Sequence, residues 1–209
     1  MVRELTVRGI VNRRVLEALA EIPREAFVEE ALRAKAYGDA ALPIGDGQTI
    51  SQPYIVARMC ELTEPDGTGR VLEIGSGSGY HAAVLSRLFE QVYSVERIAA
   101  FSKRALGTVR ELRIENVHFK IFDGSYGWSE FAPYRAIVVT AAAPEVPAPL
   151  LEQLEEGGRL VLPIGTNGTA GETAEQTLVR VVKEAGGMRR EEHGPCRFVP
   201  LLGKFGWTP

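Results

Sequence analysis

The stretch Val71-Leu-Glu-Ile-Gly75-Ser-Gly77-Ser-Gly79-Tyr80 decides the fold of this 209-residue chain. It opens with the composition of a short buried strand, continues through three alternating glycines, and runs into a helical pattern. A glycine-rich turn between a strand and a helix lies at the carboxyl edge of an open α/β sheet, where such sheets bind ligands. The stretch therefore predicts the first strand of a Rossmann-like sheet together with a ligand-binding loop.

Strands and helices alternate downstream of this loop. The predicted strands, in chain order, lie at 71–74, 92–96, 117–122, 136–140, 159–163, 176–183 and 197–202, and the predicted helices at 82–89, 99–112 and 149–154. Alternation of this kind is typical of a parallel sheet with helices on both faces, and the lack of a helix between the last two strands indicates an antiparallel finish. We predict an α/β fold, with a doubly wound, seven-stranded, mostly parallel sheet and an antiparallel C-terminal strand.

Extra helices are predicted before residue 70. An apolar stripe from Val11 to Ile22 predicts a helix with Asn12 as its cap, and a second stripe predicts a helix over 27–36. Residues 41–53 follow neither a helical nor a strand period, so their glycines and prolines predict an ordered loop. Pro53 then suits the first turn of a third helix.

Length and composition indicate one domain over 1–209. We divide it into a helical and substrate-loop region (1–69), a cofactor-binding core (70–165) and C-terminal strands (166–209), with a polar loop at 166–175. The net charge of −3 gives no general attraction for nucleic acid. The sequence shows no signal peptide, no membrane-spanning run and no metal-ligand spacing around Cys60 and Cys196. We expect a cytoplasmic monomer with free thiols and no metal.

Acidic residues around the loop favour S-adenosylmethionine over NAD as the cofactor. Tyr80 occupies the sixth position of the fingerprint, where a dinucleotide-binding loop has glycine. Glu73 would repel a pyrophosphate but suits an ammonium group, directly or through water. Glu96, at the end of the second strand, is placed to accept hydrogen bonds from ribose hydroxyls. Asp123 could bind the adenine amino group or could simply form an Asx turn.

The loop resembles motif I of class I methyltransferases, and its surroundings resemble the protein-L-isoaspartate O-methyltransferase family. The matching segments, in family order, are 23–27, 37–45, 48–53, 132–134, 140–147, 157–161 and 197–201. The most specific of them are Thr49-Ile-Ser-Gln-Pro53 and Thr140-Ala-Ala-Ala-Pro144.

This resemblance implies methyl transfer to the α-carboxylate of L-isoaspartyl residues, the first step in repair of damaged proteins. It gives Ser51 as the active-site residue. The cofactor residues that the resemblance implies are Gly75, Ser76, Gly77, Glu96, Asp123, Gly124 and Gln176. The loop itself adds Glu73 and Gly79. The substrate-binding residues are Leu42, Pro43, Ile44, Thr49, Ile50, Val199, Pro200 and Leu201.

A carboxylate acceptor needs no general base, because it is already ionised at neutral pH. Ser51 is therefore interpreted as a positioning group, although it could also cap the helix that begins near Pro53. Leu42, Ile44 and Ile50 could equally be a hydrophobic plug under the loop. Two other functions remain open: a methyltransferase acting on a small carboxylate or RNA, and a non-catalytic module that binds S-adenosylmethionine.

Overall fold

A computed structural model of the chain describes residues 1–166 and 175–208. Within them, the strands are β1 (Leu42–Gly45), β2 (Gln48–Ile50), β3 (Arg70–Ile74), β4 (Gln91–Glu96), β5 (Val117–Ile121), β6 (Tyr134–Val139), β7 (Leu154–Gly165), β8 (Gln176–Glu184) and β9 (Gly187–Cys196). The α-helices are α1 (Val2–Val7), α2 (Arg13–Glu21), α3 (Pro53–Leu62), α4 (Tyr80–Leu85), α5 (Ala99–Glu111) and α6 (Ala148–Glu152).

The main sheet has seven strands in the order β5-β4-β3-β6-β7-β8-β9. The first five of these are parallel to one another, whereas β8 runs antiparallel to both β7 and β9. This architecture confirms the predicted seven-stranded, mostly parallel sheet with an antiparallel strand near the C-terminus.

The core lies on both faces of this sheet because neighbouring strand residues point to opposite sides. Val71 belongs to a buried cluster with side chains of α1 to α5, and Leu72 to a second cluster that includes Leu150 of α6. As predicted, Asn12 caps α2 by accepting a hydrogen bond from the Val15 amide (3.3 Å), and α3 begins at Pro53. No helix in the described residues combines the length and apolar character needed to cross a bilayer.

Two predictions for the N-terminal region are wrong. Residues 27–36 do not form one α-helix: two 3₁₀ helices, Arg24–Phe27 and Glu30–Lys35, are separated by the extended residues Val28 and Glu29. The ordered loop over 41–53 contains the hairpin β1–β2, in which Leu42 faces Ile50 and Pro43 faces Thr49. Asp46 and Gly47 form its turn with positive φ angles of 46° and 67°, as a tight hairpin requires.

The last predicted strand is also misplaced. Residues 197–202 lie outside the sheet ladder and form only isolated bridges, such as the one between Ala142 and Pro200. The strand beside β8 is β9, a charged edge strand whose apolar content is too low for periodicity to reveal. Most of the predicted polar loop at 166–175, from 167 to 174, lies outside the described residues.

Candidate active site

A cleft opens at the carboxyl edge of the parallel strands, with about 920 Å³ of space including its open mouth. Two groups of residues line it. We call the loop after β3 with the end of β4 one side of the cleft, and residues 48–51 with 199–202 the other. A cleft of this size accommodates a ligand as large as a nucleoside derivative.

Gly75 sits at the turn from β3 into the loop, where only glycine fits. Its φ is +95°, and a Cβ atom there would lie 2.4 Å from Thr140 Oγ1. The amide of Gly75 donates to Val95 O (2.8 Å), and Thr140 Oγ1 donates to Gly75 O (2.7 Å). The ends of three neighbouring strands, β3, β4 and β6, thus hold the loop in one conformation. Ser76 and Gly77 continue the cleft wall.

Gly79 does not line the cleft in this structure. It adopts φ +89° immediately before α4, and a Cβ atom there would lie 2.8 Å from Ala105 Cβ on α5. The absence of a side chain at Gly79 allows the loop to pack closely against α5. Gly124, by contrast, does line the cleft.

Glu96 lines the cleft with both of its carboxylate oxygens fixed. Oε2 accepts from the amide of Gly77 (3.0 Å) and Oε1 from the amide of Ile98 (2.9 Å). A carboxylate can accept about four hydrogen bonds, so two further donors can be bound. The adjacent hydroxyls of a ribose supply such donors, and the residues present therefore fit an adenosine-bearing cofactor.

Glu73 lies beneath the loop rather than in the cleft wall. It is fully buried, and its Oε2 is hydrogen-bonded to Ser94 Oγ, which in turn lies 2.6 Å from Ser76 Oγ. Burial raises the pKa of Glu73 to about 8, and the charge of Glu96 adds to this shift. The expected direct contact between an ionised Glu73 and an ammonium group is therefore not supported. Any link to the cleft runs through Ser94 and Ser76.

Asp123 and Gln176 do not line the cleft either. Asp123 accepts from Ser125 N (2.9 Å) and from Lys204 N (2.8 Å), and it caps a short 3₁₀ helix as an Asx turn does. The buried amide of Gln176 accepts from Phe198 N (2.7 Å) and donates to Phe198 O (3.0 Å). In this structure Gln176 holds the segment leading to residues 199–201 and does not close over the cleft.

The opposite side of the cleft contains Thr49, Ile50 and Ser51. The residue preceding α3 is Gln52, without a side-chain cap, so the structure does not bear out Ser51 as the helix cap. Ser51 Oγ has no hydrogen-bond partner among the described residues, while Ser51 O accepts from the guanidinium of Arg24 (2.7 Å). The hydroxyl of Ser51 is thus available to a ligand.

The remaining predicted substrate residues divide into two groups. Val199, Pro200 and Leu201 line the cleft, and the backbone of Ala142 holds them by accepting from Leu201 N (2.8 Å) and donating to Val199 O (2.8 Å). Leu42 and Ile44, on β1 of the hairpin, are buried in the core, as the hydrophobic-plug alternative describes, and Pro43 between them is exposed. None of these three residues lines the cleft.

Sequence reasoning missed two buried side chains near the cleft. His81 lines it, with Nε2 lying 3.2 Å from Cys60 Sγ, and burial lowers the pKa of His81 to about 4, so it is neutral. Arg24, wholly buried, lies behind Ser51. Arg24 falls within a matching segment, but no pattern of the sequence indicates that an arginine there is buried.

The cleft and the sequence agree with a known family. The family model described as "Protein-L-isoaspartate(D-aspartate) O-methyltransferase (PCMT)" matches residues 1–206. The chain belongs to this family. The enzyme is 51% identical to the protein-L-isoaspartate O-methyltransferase of Geobacter metallireducens over 205 residues, which are 98% of this chain and 92% of the relative. It is 54% identical over 205 residues to protein-L-isoaspartate O-methyltransferase 1 of Geotalea uraniireducens, covering 97% of this chain and 91% of the relative.

Solved structures agree with the fold of the enzyme. A protein-L-isoaspartate O-methyltransferase superimposes with a TM-score of 0.87 at 35% identity, covering 98% of this chain and 66% of that one. A Plasmodium falciparum protein described as a putative protein-L-isoaspartate O-methyltransferase, solved with S-adenosyl-L-homocysteine, gives a TM-score of 0.79 at 24% identity. The match covers 96% of both chains. The enzyme therefore has the Rossmann-like methyltransferase fold.

Proposed function

We propose that this enzyme uses S-adenosylmethionine to methylate the α-carboxylate of L-isoaspartyl residues in damaged proteins and peptides, the first step of their repair. The observation that carries the proposal is the shared cleft: the glycine loop and Glu96 lie on one side, and Ser51 with residues 199–201 on the other. Membership of the family supports the same reaction.

The cofactor side of the cleft binds and orients. Glu96 accepts hydrogen bonds from the ribose hydroxyls, and Gly75, Ser76 and Gly77 bring the backbone close to the cofactor. When bound, S-adenosylmethionine supplies an electrophilic methyl group on a sulfonium. Gly124 shapes the adenine end, whereas Asp123 and Gln176 act by supporting neighbouring segments.

The acceptor side positions an anion. Because a carboxylate is ionised at neutral pH, the protein has no proton to remove. Ser51 Oγ donates a hydrogen bond to the acceptor carboxylate, and Thr49, Ile50 and residues 199–201 hold the peptide on either side. The contribution of the protein to the rate is orientation of the two reactants and exclusion of water.

Positioning also explains how the acceptor is chosen. In an isoaspartyl residue the main chain runs through the side-chain carboxyl, which leaves the α-carboxylate free. A normal aspartyl residue carries its carboxylate one methylene further from the main chain. A cleft that fixes both the peptide and the methyl group therefore reaches only the first of these carboxylates.

The decisive experiment is a methyl-transfer assay with two peptides that differ only in L-isoaspartate or L-aspartate at one position. We expect methylation of the isoaspartyl peptide and almost none of the aspartyl peptide. Equal methylation of both peptides would rule out the repair function. Transfer to a small carboxylate or to RNA instead would show that the enzyme is a methyltransferase with one of those acceptors. Binding of S-adenosylhomocysteine without any transfer would indicate a non-catalytic module.

We further propose that the enzyme acts as a monomer in the cytoplasm, on isoaspartyl proteins rather than nucleic acid. A reducing compartment agrees with Cys60 and Cys196, which are both free thiols. Size-exclusion chromatography with light scattering measures the mass directly, and a dimer would require revision.

A further inference from the structure

Arg24 is a wholly buried arginine that connects the acceptor side of the cleft to the start of α4. Its Nε donates to Ala36 O (2.8 Å), and its Nη2 donates to Ser51 O (2.7 Å). Its guanidinium carbon lies 4.8 Å from the centre of the Tyr80 ring. The guanidinium therefore lies behind Ser51, the proposed positioning residue, and is bound to its backbone carbonyl.

This charge has no anionic partner among the described residues. No carboxylate there forms a salt bridge with Arg24, and the neighbouring Glu25 accepts a hydrogen bond from the Tyr37 hydroxyl instead. Burial raises the pKa of Tyr37 to about 12 and raises that of Tyr80 as well, so both phenols are neutral at physiological pH. Arg24 thus faces carbonyl oxygens and neutral rings.

Arg24 itself stays charged. Burial lowers the pKa of its guanidinium, but an arginine begins so far above neutrality that it keeps its proton in proteins. A buried charge without a counter-ion is costly to fold, and such charges are usually paired. A lone buried cation beside a ligand cleft therefore indicates that the ligand supplies the anion.

The acceptor is the ligand that fits. The cleft already contains the negative charge of Glu96, which disfavours the entry of a second carboxylate. A buried cation on the acceptor side offsets this repulsion where the carboxylate has to lie. Because Arg24 is buried, its field is screened far less than that of an exposed arginine.

We propose that Arg24 is a positioning and specificity residue, whose buried positive charge behind Ser51 makes the cleft prefer a negatively charged acceptor over a neutral one of the same shape. This inference rests on the proposed function, because it takes the isoaspartyl α-carboxylate as the anion. In this proposal Arg24 makes the cleft prefer an anionic acceptor, and Ser51 aligns the carboxylate of that acceptor.

The test measures binding to the enzyme saturated with S-adenosylhomocysteine. Two probes are used: an L-isoaspartyl peptide and the same peptide with its free α-carboxylate converted to a carboxamide. We expect the wild type to bind the carboxylate about tenfold more tightly, as a nearby charge in a partly buried cleft produces. Arg24→Gln should bring this ratio close to one by weakening only the carboxylate peptide, and Arg24→Lys should keep most of it.

Arg104→Gln is the matched control. Like Arg24, Arg104 donates to a backbone carbonyl, Ile44 O (2.9 Å), but Arg104 is exposed to solvent. Its loss should leave the carboxylate preference within about twofold, since water screens its charge. Affinity for S-adenosylhomocysteine, unchanged within about twofold, reports that each variant is folded.

The outcomes separate this inference from the proposed function. If the wild type does not methylate the isoaspartyl peptide, the proposed function itself is wrong. A wild type that methylates it but binds both probes equally, or an Arg24→Gln variant that keeps the preference, overturns the role of Arg24 alone. If Arg24→Gln does not fold, the wild-type ratio and Arg24→Lys decide, because a ratio near one in either contradicts the proposal.

Discussion

The two sides of the cleft are built in different ways. The cofactor wall, residues 74–77, 96–98, 124 and 140, stands on the ends of adjacent parallel strands and is fixed mainly by hydrogen bonds to its backbone. The acceptor wall, residues 49–51 and 199–201, lies outside the main sheet and combines segments from the two ends of the chain. Backbone contacts from Ala142 and single side chains, Arg24 and Gln176, hold it in place.

This difference indicates which properties of the enzyme can vary separately. A change in the cofactor wall disturbs the sheet edge, so it should alter stability and cofactor affinity together. A change in the acceptor wall removes a local support, so it should alter acceptor binding while cofactor affinity stays the same.

The largest effect is expected from Gly75→Ala. The new Cβ would approach Thr140 Oγ1 to 2.4 Å at a φ of +95°, so we expect a loss of about 3 kcal/mol in the free energy of unfolding and no measurable cofactor binding. Gly107→Ala is the control, because Gly107 is exposed within α5 and its Cβ would meet nothing within 4 Å. That change should stabilise the enzyme by about 0.5–1 kcal/mol in denaturant unfolding. Normal cofactor binding by Gly75→Ala would contradict the rigid cofactor wall.

The next effect is a pH dependence of stability from Glu73. Its pKa is raised from 4.5 to about 8 in the folded enzyme, so its contribution is fully present below pH 4.5 and is lost as the pH rises toward 8. Glu73→Gln should flatten the stability profile across this window and raise the free energy of unfolding at pH 8 relative to wild type. Glu111→Gln, on the exposed end of α5, should leave the wild-type profile in place. Parallel profiles for Glu73→Gln and wild type would show that Glu73 is ionised when folded.

A smaller effect is expected from Glu96→Ala, which tests the cofactor wall without a steric clash. It removes the acceptor for ribose hydroxyls, so affinity for S-adenosylhomocysteine should fall by about 1–3 kcal/mol in calorimetry. NAD should show no binding to the wild type. Tight NAD binding, or an unchanged affinity in the variant, would contradict the assignment of Glu96.

Gln176→Leu distinguishes the two walls most finely. Losing both hydrogen bonds to Phe198 should cost about 1–2 kcal/mol of stability and raise KM for the isoaspartyl peptide, because residues 199–201 lose their support. Affinity for S-adenosylhomocysteine should stay within about twofold. A fall in cofactor affinity with KM unchanged would instead favour Gln176 as a cofactor-binding residue, as the family resemblance implies.

The cofactor wall is the part of the molecule that the sequence predicts well. Its residues are contiguous around Gly75 or lie at strand ends, and apolar periodicity locates strand ends reliably when strands are buried on both faces. Thus the sequence pattern predicts the loop and Glu96 at the cleft edge, and the family resemblance adds Gly124. Glu73 departs from its predicted role because strand alternation turns its side chain into the core despite its charge.

The acceptor wall was predicted less completely, for physical reasons. The hairpin was missed because Pro43 and Gly45 interrupt its pattern, although Asp46-Gly47 is a strong turn signal. Strand β9 carries charges along its length, so its pairing depends on backbone hydrogen bonds that leave no apolar period. The partners of Arg24 and Gln176 lie far away along the chain, and a motif gives their positions without their contacts.

The most direct test of the separation between the walls is Ser51→Ala. Three quantities are compared with wild type: kcat for the isoaspartyl peptide, the Kd of S-adenosylhomocysteine, and Tm. We expect kcat to fall roughly 10- to 100-fold, because the carboxylate loses its positioning hydrogen bond, while Kd stays within about twofold and Tm within about 2 °C. A variant that loses cofactor affinity and Tm together, with kcat of the saturated enzyme unchanged, would contradict this separation.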